Sequence, residues 1–149
     1  MSTAQRAVEE LSRAECLELL QTKSRVGRLA FVVDGCPLVL PVNYVADANS
    51  IVFCTSPGTK LSALRSGPRV AFEVDDSREL YHAGWSVLVQ GKAREVRDPE
   101  ELDRLRRGPL WSWAVPSSTG HWVSVSIDVI SGRRIPETGR YPGPMPVRG

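Results

Sequence analysis

Along much of this chain, apolar residues recur at every second position, in short runs separated by turn-forming residues. A period of two marks half-buried strands. Residues 27–33 form the first run, and Asp34-Gly35, a dipeptide favoured in tight hairpin turns, follows at once. Residues 38–45 are its predicted partner, Asp47-Ala48-Asn49-Ser50 a second turn, and residues 51–55 a third strand. These three make an antiparallel meander. Pro41 lies inside the second strand and cannot donate to a sheet ladder, so its nitrogen must face an edge, a bulge or a ligand. Residues 69–74 are a fourth strand, with Val70, Phe72 and Val74 on one face, and residues 75–79 read as a polar loop. Residues 85–96 are a long strand in which Val87, Val89 and Gly91 alternate with polar positions. In residues 122–130, Trp122, Ser124, Ser126 and Asp128 alternate with Val123, Val125, Ile127 and Val129, which predicts one half-buried strand.

Three stretches depart from that period. Ser12 and Glu15 have capping-box spacing, so each side chain can satisfy a free backbone N–H of a first helical turn. Cys16, Leu17 and Leu20 then give a short apolar face, and this helix should end before Ser24. Residues 60–65 are a second helix, stopped by Ser66-Gly67-Pro68. Asp98-Pro99-Glu100-Glu101 opens a third, with proline at the first helical position and acids at the positive end of the dipole. Arg104, Arg106 and Arg107 suit its other end, and the charges read as a solvated helix face. Residues 110–116, with Trp111 and Trp113, form an aromatic loop, and the Pro-, Gly- and Arg-rich tail 136–149 should be loose or lie across a surface. Six or seven strands with short helices between them predict a closed antiparallel barrel.

Composition narrows the function classes. At 149 residues, 42% hydrophobic and 24% charged, the chain is globular and suits a single domain, 1–149. A net charge of +2 gives no reason to expect nucleic acid or a membrane surface as partner. No apolar run approaches the roughly 20 residues of a membrane span, and the first ten residues have no signal-peptide core, so we expect a cytoplasmic protein. Cys16, Cys36 and Cys54 are odd in number, far apart and set among apolar neighbours, which predicts packing residues rather than a disulfide or zinc site. His82 and His121 form no local metal motif.

The chemically suggestive segment is Thr55-Ser56-Pro57-Gly58-Thr59-Lys60, between a strand and a helix. Unpaired N–H groups at a helix start attract an anion. Thr55, Ser56 and Thr59 add hydroxyl donors and Lys60 a positive charge, so the turn suits a phosphate; Ser56 or Thr59 serving only as a helix cap is the plainer alternative.

The order of motifs carries more than any one of them. Gly35-Cys36-Pro37 is followed by Leu40-Pro41-Val42-Asn43-Tyr44, then by Phe53-Cys54-Thr55 and the Ser56 to Lys60 turn. Gly67-Pro68-Arg69-Val70-Ala71-Phe72, Gly84-Trp85-Ser86-Val87-Leu88-Val89-Gln90-Gly91 and Ser131-Gly132-Arg133-Arg134-Ile135 come after. Over about residues 12–135 this set resembles the pyridoxamine 5'-phosphate oxidase-like family of flavin-binding split barrels. The resemblance implies a mainly β, antiparallel, Greek-key-like split β-barrel with short helices, and a homodimer with FMN between the subunits. It implies that Leu40, Pro41, Val42 and Asn43 run along the flavin ring and that Thr55, Thr59 and Lys60 grip the phosphate. Trp85 and Ser86 match a position that contacts the cofactor from the same or the partner subunit. The family's vitamin B6 oxidases carry an Arg-Lys pair where this chain has Lys60-Leu61, so the resemblance argues for FMN rather than for vitamin B6 chemistry.

On this reading the protein is an FMN-dependent oxidoreductase acting on a small molecule, with the flavin supplying the electron chemistry and no acid–base pair needed. One alternative is the deazaflavin F420, whose anionic tail would call on Lys60, Arg65, Arg133 and Arg134; another is a flavin-binding protein without catalysis. Trp111, Trp113 and Trp122 are each ambiguous between lining a substrate cleft and anchoring the core or a dimer interface, and Tyr44 between contact with the flavin ring and barrel packing.

Overall fold

The computed structural model describes residues 7–22, 26–78, 83–109 and 120–137. The aromatic segment 110–116, His82 and most of the tail lie outside them. The elements run β1 (Glu9–Glu10), α1 (Arg13–Thr22), β2 (Val26–Val33), β3 (Cys36–Ala46), β4 (Ser50–Thr55), α2 (Thr59–Arg65) and β5 (Arg69–Arg78). There follow β6 (Ala83–Glu95), α3 (Pro99–Arg107), β7 (His121–Ser126) and β8 (Val129–Ile135). All pairings are antiparallel. The sheet order β6-β5-β2-β3-β4-β7 closes through β6–β7 pairing into a six-stranded barrel, and β8 and β1 extend it beyond β6. The fold is the mainly β barrel that the alternating pattern predicts.

Local signals act where they stand in the sequence. Ser12 N–H donates to Glu15 Oε1 (3.1 Å) and Glu15 N–H to Ser12 Oγ (3.2 Å), which completes the capping box. Asp34 and Gly35 both have positive φ, 48° and 76°, as a two-residue turn matching the strand twist requires. Asp98 caps α3 by accepting from Glu101 N–H, with Pro99 opening the helix.

Three expectations are corrected. Residues 75–78 are not a loop: β5 continues through Arg78, paired with β6 from Asp75↔Ser86 to Arg78↔Ala83. Their polar side chains are exposed, so nothing apolar marks them as strand. Residues 122–130 are not one strand either. The chain turns a corner at Ile127 and Asp128, whose N–H groups donate to Asn49 and Gln90 carbonyls. The inward phase slips by one there: Val123, Val125 and Ile127 are buried, but Val129 is exposed and Ile130 turns in. Gly91 of β6 faces this corner so closely that a Cβ would collide with the Ser126 carbonyl. Finally, β7 is covered on both faces rather than one. Val123 and Val125 point into the barrel, while Trp122 packs in a second cluster with Val52, Cys54 and Val96, against Leu102 and Leu105 of α3. Leu102 and Leu105 are half-buried there, and Arg94 of β6 reaches Glu101 at 3.0 Å, so two leucines and one ion pair hold α3 to the barrel.

The main core also takes in Cys16, Leu19 and Leu20 of α1 and Leu61 and Leu64 of α2, which seal the barrel. No helix among the described residues is long and apolar enough to cross a membrane.

Candidate functional site

The site grows from one mismatch in strand pairing. β3 is paired with β2 from Val33↔Cys36 to Val26↔Asn43. With β4 it pairs only at Tyr44, Val45 and Ala46. Two residues onward in the same register Thr55 would stand level with Val42, but the β3–β4 ladder stops at Tyr44 and Phe53. Pro37 and Pro41 are four residues apart and so point their nitrogens the same way; the β2 ladder takes the other parity. Both prolines therefore present their missing donors to the side that β4 leaves open, as expected for Pro41. The structure thus brings Leu40, Pro41, Val42 and Asn43 to the same opening as Thr55. Leu40 and Val42 lean on the core from one face while Pro41 is exposed.

The Thr55–Lys60 turn leads straight into α2. Gly58 stands at the N-cap, and no side chain caps the helix. The first backbone bond of the helix runs from Ser62 N–H to Gly58 O (3.0 Å), so the N–H groups of Thr59, Lys60 and Leu61 precede the ladder. Thr55 is half-buried; Ser56, Thr59 and Lys60 are exposed. The hydroxyls are therefore not used as caps, which removes the plainer reading of this turn.

Behind the turn lies a charged cluster that the sequence does not reveal. His121 of β7 pairs with Thr55. Its Nδ1 lies 2.8 Å from Glu95 Oε1; a carboxylate only accepts, so Nδ1 donates. Arg65, at the end of α2, donates from Nε to Glu95 Oε2 (2.8 Å) and from a terminal nitrogen to Oε1 (3.1 Å). Arg97 adds a second guanidinium, 3.0 Å from Glu95 Oε2. The Glu95 side chain is only 9% exposed. The Arg65 hydrogen bonds, with help from His121 and Arg97, hold its carboxyl at about 2 despite the opposing effect of desolvation. Only the register β4–β7–β6 brings these three segments together, so no local motif could have announced them.

Trp85 and Ser86 are not brought to this opening within one chain. They sit near the start of β6, whereas β6 meets β7 beside the turn only at Ala93–Glu95, roughly 30 Å along the strand at about 3.3 Å per residue. Trp85 leans on the core; exposed Ser86 lines a groove of about 810 Å³ with Asp75, Ser77, Arg133 and Ile135. Arg133 and Arg134 lie in β8, and Arg134 pairs with Glu15 at 3.5 Å.

Two of the ambiguous aromatics, Trp122 and Tyr44, resolve toward packing, while Trp111 and Trp113 lie outside the described residues. Trp122 is fully buried under α3. Tyr44 is buried, donates its hydroxyl to Leu20 O (2.7 Å) and meets Phe72 edge-on, with ring centroids 4.8 Å apart. Burial raises the Cys16 and Cys54 thiols and leaves them poor nucleophiles, whereas Cys36, expected to be buried or half-buried, is exposed at the start of β3.

Comparison with known proteins fits this architecture. The chain is 35% identical over 142 residues to the uncharacterized protein Rv0080 of Mycobacterium tuberculosis, covering 92% of this chain and 91% of that protein. Among solved structures, it is similar to a FAD binding protein from Mycobacterium smegmatis at 37% identity and a TM-score of 0.72, over 86% of this chain and all of the other. A FAD-binding protein from Mesorhizobium loti is 30% identical with a TM-score of 0.71, over 85% and 97% of the two chains. The model of the pyridoxamine 5'-phosphate oxidase family matches residues 12–134. That match spans the barrel, the opening at β3 and the turn before α2, and the chain belongs to the pyridoxamine 5'-phosphate oxidase-like family.

Proposed function

We propose that this protein is a flavin-dependent oxidoreductase of a small molecule, working as a pair of identical chains. One observation carries the flavin part: relatives at 37% and 30% identity bear FAD binding in their names. The chain's own residues fit such a group. The uncapped start of α2, the Thr55 and Thr59 hydroxyls and the exposed Lys60 suit the phosphate nearest the flavin ring, which FMN and FAD share. Leu40, Pro41, Val42 and Asn43 offer the adjoining strand edge to the ring, and Pro41 has no donor there to be left unsatisfied.

When bound, the flavin supplies hydride or electron transfer at its ring. The protein binds, orients and shields it. Glu95 fixes Arg65 and His121 behind the turn, so these side chains lose little freedom when an anion arrives. Trp85 and Ser86, remote from the turn in their own chain, suit contact with the cofactor held by the other copy. FMN is the expectation from the single-phosphate turn; FAD is favoured by the names of the two relatives, and F420 is the third choice.

Titrating cofactor-free protein with FMN, FAD and F420, then adding NADH or NADPH with the flavin bound, tests the proposal. Tight uptake of a flavin and its reduction support an oxidoreductase. Uptake without reduction by either nucleotide points to a binding protein, and uptake of F420 alone overturns the flavin reading.

A further inference from the structure

Three inward-facing residues meet at the end of the barrel where β4 leads into the turn before α2. Val123 and Val125 of β7 point into the barrel, and β4 pairs with them at Phe53 and Ile51. Two residues further along, Thr55↔His121 extends the same face. Glu95 of β6 is level with Val123 and so stands diagonal to His121. Thr55, His121 and Glu95 are thus neighbours on three adjacent strands, beside the Thr55–Lys60 turn.

The charges gathered there do not cancel. Glu95 is nearly buried, whereas the side chains around it open outward: His121 is 35%, Arg65 40% and Arg97 75% exposed. Two guanidiniums against one carboxylate leave one positive charge over, and protonation of His121 adds another. Acids nearby are engaged elsewhere: Glu101 pairs with Arg94 at 3.0 Å, and Asp98 turns to cap α3. Tying α2 to β6 needs only the two-point grip of Arg65 on Glu95. Arg97 and His121 bring further donors to an acid that is already satisfied, at 3.2 Å from Arg97 Nε and 2.8 Å from His121 Nδ1. Each guanidinium has more N–H groups to give, and the ring of His121 has Nε2. The acid therefore collects cations whose outer sides can serve a second anion.

We infer that this cluster receives the second phosphate of a diphosphate cofactor, with Arg65, Arg97 and His121 as its donors, so that the protein takes FAD in preference to FMN. The inference rests on the flavin part of the proposed function, which assigns the first phosphate to the Thr55–Lys60 turn. Paired strand positions hold their Cβ atoms about 5 Å apart, so a phosphate joined directly to one held at Thr55 comes within reach of His121. Arg65 lies against the same ring, its terminal nitrogen 3.4 Å from Nδ1. Because Glu95 fixes these donors beforehand, little side-chain freedom is lost when the phosphate arrives. FMN, with a single phosphate, leaves the cluster without a ligand.

Fluorescence titration of cofactor-free protein with FMN and with FAD tests it, using wild type, Arg97→Ala and Arg97→Glu. Arg97 is exposed and Glu95 keeps Arg65 and His121 without it, so both variants should fold, as checked by circular dichroism. Wild type should bind FAD roughly tenfold or more tightly than FMN, the scale of one charge-assisted contact. Arg97→Ala should lose roughly tenfold in affinity for FAD and less than about twofold for FMN, and Arg97→Glu should lose more for FAD. A wild type that binds both flavins without preferring FAD overturns the second-phosphate site and leaves the flavin reading intact. So does an Arg97→Ala variant that weakens both flavins equally or neither. A wild type that binds neither flavin overturns the flavin reading, and this inference with it.

Discussion

Arg65 holds both oxygens of Glu95, with Nε 2.8 Å from Oε2 and a terminal nitrogen 3.1 Å from Oε1, and thereby ties the end of α2 to the end of β6. The same carboxylate accepts from His121, the β7 residue paired with Thr55. The end of α2 and the first residue of β7 are thus fixed by one nearly buried acid. Glu95→Gln keeps the shape and removes the charge. It should lower the stability of the folded chain by about 1.5–3 kcal/mol, the range for hydrogen bonds to a charged group, as read by urea unfolding at neutral pH.

Acid should act through the same residue. The Glu95 carboxyl lies at about 2 in the folded chain, against an ordinary 4.5. Its contribution is complete above 4.5 and is lost as pH falls from 4.5 towards 2, because the unfolded chain binds the proton more readily. The stability difference between wild type and Glu95→Gln should shrink over that window. A difference that stays constant down to pH 2 would show that the charge of Glu95 contributes nothing.

Tyr44→Phe separates packing from cofactor contact. It leaves the buried Leu20 carbonyl without its partner at 2.7 Å while keeping the ring against Phe72. Stability should fall by about 1–3 kcal/mol with flavin affinity unchanged, compared by thermal unfolding and flavin titration.

Gly91→Ala probes the corner at Ile127 and Asp128. The added methyl meets the Ser126 backbone, which cannot rotate away as a side chain would. A loss of about 1–3 kcal/mol or more is expected in equilibrium unfolding, and a neutral result would mean that the β6–β7 crossing is wider than described.

Much of the barrel is written locally. Ser12 with Glu15, Asp34 with Gly35 and Asp98 with Pro99 each specify a boundary within a few residues, and the structure forms all three. Residues 75–78 escape such reading because their strand identity comes only from pairing with β6. The corner at Asp128 escapes because the apolar alternation runs on through it while the backbone changes partners. At the site, the Thr55–Lys60 turn and the Pro41 edge are legible from residue chemistry. Glu95, His121 and Arg97 are not, since only register makes neighbours of residues up to 56 positions apart in the chain, as Arg65 and His121 are.

The phosphate grip has its own variant. Lys60→Ala should weaken flavin binding by roughly 1–3 kcal/mol, the scale of a charge-assisted hydrogen bond, with little change in stability because Lys60 is exposed. Unchanged affinity in fluorescence titration would reduce the turn to the start of a helix.

The visible absorption spectrum of the purified protein, before and after adding FMN or FAD to it, tests the central claim most directly. The account predicts the bands of oxidised flavin, carried by the protein through gel filtration and released on acid denaturation. A colourless protein that retains neither flavin would contradict it.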